Sequence, residues 1–278
     1  MVKKRKTKVL FLGASDFAVP ALEALIRADY QIVAVITTPD EPAGRKQVLT
    51  PPPIKAAAIR LGIGVLQPLK LKDPTFIKLL TTNYSLQTIL GIVASYGKII
   101  PPEIINLFPK GILNIHPSLL PEYRGSSPIQ SALLNGDEET GVTIIKIDEE
   151  VDHGPIVAKS EKRKAKNRRY RELHDGLARL GAELLIKILP DYLAGKIKPA
   201  EQDHSRATFT KKIAKHHGRI DWRKDAKQIY NQFRAFHVWP GIWTIWRPAA
   251  DVAPAFGSKS QKAFGTGAQR TGNLGTGA

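Results

Sequence analysis

The sequence predicts an α/β domain built on a doubly wound sheet, and three observations predict it. Short apolar runs rich in β-branched residues, each the length of a buried strand, recur through the first half of the chain. Segments with helical spacing separate them. The alternation argues for a mostly parallel, Rossmann-like sheet covered on both faces, whose ligand lies beyond the carboxyl ends of the strands.

KVLFLG reads as a buried strand ending at Gly13, FAVPALEALIRAD as the helix after it, and QIVAVIT as the next strand. Gly13 is followed by Ala-Ser-Asp, without the further glycines of a dinucleotide fingerprint, so NAD is not expected. Thr38 to Pro53 is a long loop with five prolines, one glycine and two adjacent cations, Arg45 and Lys46. A loop of this length in a compact domain is functional or disordered. PTFIKLLTTN and PEIINLF suit helices that alternate with the strands TILGIVAS and GILNIH. TGVTIIKIDEEVDHGPIVAK is a strand, an acidic turn and a second strand. A helix from Tyr170 to Leu193 closes the main domain, 1–205; AGKIKPAEQDHSRATFT reads as a linker, and a smaller unit, 206–247, begins near Thr210.

A chain of 278 residues, 42% of them hydrophobic, can bury a sizeable core. The lack of cysteine excludes disulfides and thiolate metal sites, and the seven histidines show no ligand spacing, so no metal is expected. The apolar stretch after the basic start is too short for a signal segment, and no run is long enough to span a membrane; the expectation is a cytoplasmic protein. The formal charge of +17, with a pI near 10.0, points to a polyanionic partner. RNA is the leading candidate; DNA, a membrane and a second copy of the chain are not expected. Seven basic residues face two acids between Ser160 and Glu172, and nine face two between Arg206 and Arg234.

The chemistry concentrates in NIHPSLLPEYRGSSP, Asn114 to Pro128, which lacks the periodicity of a helix and has too much proline for a central strand. Its polar side chains are therefore expected to be displayed. Asn114 and His116 stand two apart at a strand end, so they project from one side of the sheet's carboxyl edge. One of Asp148, Glu149, Glu150 and Asp152, in the acidic turn, can reach His116. An amide that donates, an imidazole that takes a proton and a carboxylate that steadies the imidazolium suit attack on a carbonyl carbon. No serine or threonine is needed if the nucleophile is the substrate's own amine.

NIHPSLLPEYRG, followed after GVTIIKID by VDHG, resembles the signature of the folate-dependent formyltransferases, Asn-x-His-x-Ser-Leu-Leu-Pro-x-x-Arg-Gly with a later Asp-x-Gly. FLGASDFAVPALEAL, TTPDEPAGRKQVLTPPPIK, SSPIQSALLNGDEETGVTI, GRIDW and IYNQFRAFHVWPG extend the likeness from Lys8 to about Trp243, toward members that act on methionyl initiator tRNA. The resemblance implies transfer of a formyl group from 10-formyltetrahydrofolate to the amino group of that tRNA, by a monomer that needs neither metal nor nucleotide. It implies that Asn114 holds the formyl oxygen, His116 transfers a proton and Asp152 orients His116. It further implies that Ser118, Leu119, Leu120 and Pro121 line the folate site and that Arg45 and Lys46 grip the acceptor stem. The fold implied is a Rossmann-like formyltransferase domain followed by an OB-like, tRNA-binding β domain.

Three departures stand against the family pattern. GRKQVL carries one cation after the arginine where relatives carry more, KRKAKNRR replaces a more neutral segment, and the end of the chain shows no likeness. An OB-like barrel needs about five strands, and GIWTIW is the one candidate. The second domain is therefore expected to be incomplete, with Trp239, Trp243 and Trp246 in a core missing other walls and Pro248 to Ala278 disordered. Rival acceptors are an amino sugar nucleotide and glycinamide ribonucleotide; a rival class is a basic RNA-binding protein on a degenerate formyltransferase fold. The Arg45 loop, the basic excess and GRIDW to WPG favour tRNA, and the presence of Asn114, His116 and Asp152 disfavours degeneracy.

Overall fold

In the computed structural model, which describes residues 7–44, 46–84, 89–160 and 163–245, the chain opens with β1 (Lys8–Gly13), a 3-10 turn at Asp16–Ala18, α1 (Val19–Arg27) and β2 (Gln31–Ile36). A hairpin of β3 (Glu41–Ala43) and β4 (Val48–Thr50) leads to α2 (Pro53–Arg60) and β5 (Val65–Leu66). Next come α3 (Pro74–Tyr84), β6 (Ile89–Ala94), α4 (Pro102–Ile105) and β7 (Ile112–His116). The remainder comprises β8 (Arg124–Gly125), α5 (Pro128–Asn135), β9 (Glu139–Thr140), β10 (Thr143–Lys146), β11 (Ile156–Lys159), β12 (Arg163–Lys164), α6 (Tyr170–Leu193), β13 (Phe209–Thr210) and α7 (Ala226–Phe236).

The central sheet has the order β11-β10-β7-β6-β1-β2-β5. From β7 to β5 every neighbour is parallel, whereas β10 runs antiparallel to both β7 and β11. The order reverses between β1 and β6, which makes the gap at their carboxyl ends the place for a ligand. Alternation along the strands explains why both faces are covered. Val9 and Phe11 join Leu113, Ile115 and the apolar side of α6 in one core, while Leu10 and Leu12 join Ile112, Leu80 of α3 and Ile104 of α4 in the other. The doubly wound α/β class and the bounds of the long helix agree with the sequence reading.

Several elements differ from it. The long loop between Thr38 and Pro53 is largely the β3–β4 hairpin, whose base is fixed where Lys55 and Gln67 both donate to the Asp40 carboxylate. Three-residue strands with Pro42 and exposed side chains leave no alternation to read. The segment read as a linker is paired into the fold: Ala200 bridges Ile156, and β13 runs parallel to β8. The described residues up to Thr244 accordingly fall in one compact unit. GIWTIW forms no strand among the described residues, where Trp243 makes only an isolated bridge to Arg219. Trp239 and Trp243 are 53% and 37% exposed, so neither belongs to a core; the apolar face of α7 instead buries Ala235 and Phe236. Arg45, Trp246 and Pro248 to Ala278, with the expected disorder of that tail, lie outside the described residues.

Candidate active site

A cavity of 510 Å³ opens at the carboxyl ends of β1, β6 and β7, between the turn at Ser15–Phe17, the Ser95–Ile100 segment and the Asp148–Asp152 loop. Asn114 and His116 enter it from β7. Register explains their pairing: Asn114 lies opposite Ile145 and His116 opposite Thr143 of β10, and the β10–β11 loop folds back over them.

Asp152 is the acid of that loop which reaches the pair. Its Oδ1 accepts from the Asn114 amide at 3.2 Å, and its Oδ2 stands 3.5 Å from His116 Nδ1 while accepting from the Gly125 backbone N–H at 2.8 Å. Asp148 is spent elsewhere, 2.7 Å from His153 Nδ1. Since a carboxylate only accepts, Asn114 must turn its NH2 toward Asp152, leaving the second N–H of that group available. His116 Nε2 lies 2.9 Å from the Tyr123 carbonyl oxygen, another pure acceptor. That contact places a ring hydrogen on Nε2 and turns Nδ1 toward the Asp152 carboxylate. Asp152 and Tyr123 both adopt left-handed backbone conformations, at φ 51° and 60°. Non-glycine residues hold such angles only where their surroundings enforce them.

Two further groups at the cavity carry no motif in the sequence. The Tyr96 hydroxyl is buried without a hydrogen-bond partner among the described residues, and burial pushes its pKa up to about 12. His174 of α6 lies between Asp16 and Asp175, with Arg171 also on Asp16. Burial opposes its charge, yet the two carboxylates prevail and raise His174 above the usual imidazole value. His174 in turn, with Arg171, holds Asp16 well below the carboxylate range despite burial.

The expected folate-lining residues are not brought to this cavity. Ser118 and Leu120 are fully buried under β10: Ser118 Oγ donates to the Glu122 carbonyl at 2.6 Å, and Thr143 Oγ1 donates to the Ser118 carbonyl while accepting from Leu120 N. Leu119 and Pro121 continue the same turn and do not line the cavity either. The stiffness of SLLP thus serves a buried turn. Apolar lining comes instead from Val93, Ile100, Ile145 and Ile147. Lys46 is exposed in the turn of the β3–β4 hairpin and does not line the cavity, and Arg45 lies outside the described residues.

A family profile described as Formyl transferase matches residues 6–189, and one described as Formyl transferase, C-terminal domain matches residues 212–261. The methionyl-tRNA formyltransferase of Chloroflexus aurantiacus is 49% identical over 240 residues, which cover 86% of this chain and 76% of that protein. The proteins of the same name from a Roseiflexus species and from Listeria innocua are 45% and 43% identical, over 87% and 86% of this chain and 74% and 75% of their own. Among solved structures, the N-formyltransferase of Helicobacter canadensis in complex with folinic acid and dTDP-3-aminofucose superposes with a TM-score of 0.64 at 23% identity, over 83% of this chain and 80% of that one. A 4-N formyltransferase from Francisella tularensis gives 0.65 at 21%, over 86% and 92%. At such identities the likeness is one of fold.

Proposed function

The chain belongs to the formyl transferase family, and from that premise we propose that Asn114, His116 and Asp152 carry its reaction, formylation of the amino group of methionyl initiator tRNA with 10-formyltetrahydrofolate as donor. Relatives 43–49% identical over most of the chain bear that activity in their name. The observation that carries the residue assignment is the Asp152 carboxylate, which accepts from Asn114 and faces His116 Nδ1 within one cavity.

The cavity suits a flat, partly polar heteroaromatic donor, because its apolar walls sit beside the unpartnered Tyr96 hydroxyl and the Asn114 amide. When bound, the folate supplies the formyl carbon as an electrophile. The chain's residues do the rest. Asn114 would donate its free N–H to the formyl oxygen, where negative charge gathers as the amine attacks; a donor of this kind is worth roughly 3 kcal/mol. His116, its Nδ1 turned toward Asp152, would take the amine's proton. Asp152 would face the resulting imidazolium at salt-bridge distance, and His116 would return the proton to the folate nitrogen as that nitrogen's bond to the formyl carbon breaks. Water is restrained by the buried setting of His116, which is only 4% exposed.

Lys46, in the turn of the β3–β4 hairpin, and Arg45, its neighbour in sequence, are assigned to the tRNA acceptor stem, contacting phosphates and not the reacting carbon. All three catalytic residues come from a single chain, so a monomer suffices, and the cytoplasm is the place where charged initiator tRNA awaits the ribosome. The test is an assay with purified protein, 10-formyltetrahydrofolate and, in parallel, methionyl initiator tRNA, glycinamide ribonucleotide and an amino sugar nucleotide. Formylation of the tRNA alone is expected. Preference for either small acceptor overturns the substrate, and near-parental turnover by Asp152→Asn overturns its place in the catalytic set.

A further inference from the structure

We infer that Gln202 is a positioning residue of this active site: from outside the cavity it fixes the backbone that aims Asp152. The inference rests on the catalytic reading of Asp152 given above. Gln202 is 4% exposed and does not line the cavity. Its amide nevertheless has a defined orientation. Arg124, also buried, can only donate, and it donates through Nε and Nη2 to Gln202 Oε1 at 3.3 and 2.8 Å. The Gln202 NH2 must therefore face the other way. There it meets three consecutive carbonyl oxygens, those of Asp152, His153 and Gly154, at 2.8, 2.9 and 2.8 Å.

One amide thus gathers three acceptors that would otherwise repel one another, at the point where Asp152 takes its left-handed conformation of φ 51°. Gln202 thus holds the backbone of that conformation, while Asn114 and Gly125 hold its carboxylate. The same stretch of chain also fixes the other half of the catalytic pair. Thr208 Oγ1 accepts from Tyr123 N, and the Thr208 carbonyl accepts from Arg124 N, each at 2.8 Å, which sets the Tyr123 carbonyl that takes the His116 Nε2 hydrogen. A displacement of about 1 Å in a catalytic group can cost about 100-fold in rate, so removal of the Gln202 donor should be read in turnover before it is read in binding.

The test uses two size-matched variants of the full chain, Gln202→Glu, which replaces the donor by an acceptor while keeping an oxygen for Arg124, and Gln202→Met, which removes the donor without adding charge. Each is crossed with Asp152→Asn, and formyl transfer is followed in single turnovers. Both single variants should melt as cooperatively as the parent and lose roughly 10- to 100-fold in kcat, with KM for the formyl donor changed less than about threefold. In the Asp152→Asn background the same changes should cost less than about threefold, because residues acting through one another are not additive. Full-strength losses in that background, parental kcat in both variants, or failure of both to fold would each overturn the inference, the last by making Gln202 a residue of the fold only. If Asp152→Asn itself is near parental, it is the catalytic reading that fails; if it is impaired while both Gln202 variants are parental, only the positioning fails.

Discussion

At Gly154 an added Cβ would stand 1.9 Å from the Lys146 carbonyl oxygen, so the glycine of Asp-x-Gly is required by the close return of the loop that aims Asp152. Gly154→Ala should lower stability by roughly 1–3 kcal/mol in denaturant melts and reduce turnover with it; an unchanged midpoint would show that the loop relaxes freely. Gly125, at φ 104°, meets a similar limit against the Thr210 carbonyl, where a Cβ would approach to 2.9 Å. Asn114→Ala and His116→Ala should each lower kcat about 100-fold, on the order of 3 kcal/mol in the barrier, with tRNA affinity nearly unchanged because they act on the transition state. Parental turnover in either variant would remove that residue from the mechanism. Asn114 and His116 were legible because a two-residue period at a strand end places side chains together. The acid was not fixed by the residues alone, since four carboxylates share one turn and only its fold shows that Asp148 is taken by His153. The burial of Ser118 was not legible for a related reason: a proline-rich, mixed segment does not reveal which of its polar groups face inward, and Ser118 is 0% exposed.

Among the elements, α6 is tied to the turn after β1 by a charge cluster whose response to pH has a definite sign. His174 is raised above its ordinary 6.5, so its contribution is complete below that value and is lost as pH rises through the higher, folded-state value. Asp16 is depressed below its ordinary 3.8, so its contribution is present above that value and fades only in stronger acid. Together they give the tether its greatest strength between about pH 4 and 6.5. Melting temperature should therefore decline from pH 6.5 toward 8, and His174→Asn should flatten that decline; an unaltered slope would place the dependence elsewhere. The long apolar periodicities made β1, β2, β6, β7 and α6 legible, because each buries enough side chains to impose its period. The β3–β4 hairpin was not, since Val48 and Leu49 are 60% and 64% exposed and carry no inside–outside pattern. The residues from Ala200 to Thr210 look like a linker because their value lies in backbone pairing and one amide, which composition does not register.

Across the whole molecule, the charge of +17 overstates the cations that can meet phosphate. Arg234 is 4% exposed and donates to the carbonyls of Ala165 and Arg168, Arg171 is on Asp16, and Arg223 is on Asp221. The sequence counts all three as basic, yet Arg234 is the one whose guanidinium the fold buries, while Arg171 and Arg223 are ion-paired at the surface. The salt dependence of tRNA binding should consequently reflect the exposed remainder, such as Lys46, Lys211 and Lys212. The logarithm of affinity should fall linearly with the logarithm of salt concentration, with a slope of roughly −0.7 to −0.9 for each phosphate contact. Lys46→Ala should make that slope shallower by about one, while kcat at saturating tRNA stays parental, since the hairpin is assigned to anchoring the acceptor and not to the formyl carbon. Arg234→Met should do the reverse, lowering the melting temperature through the lost carbonyl contacts and leaving the slope alone. Anchoring and chemistry are then separable by measurement, with Asn114→Ala changing rate without slope and Lys46→Ala changing slope without rate. An affinity independent of salt, or a slope that moves with Arg234 and not with Lys46, would mean that the tRNA is held by groups other than these exposed cations.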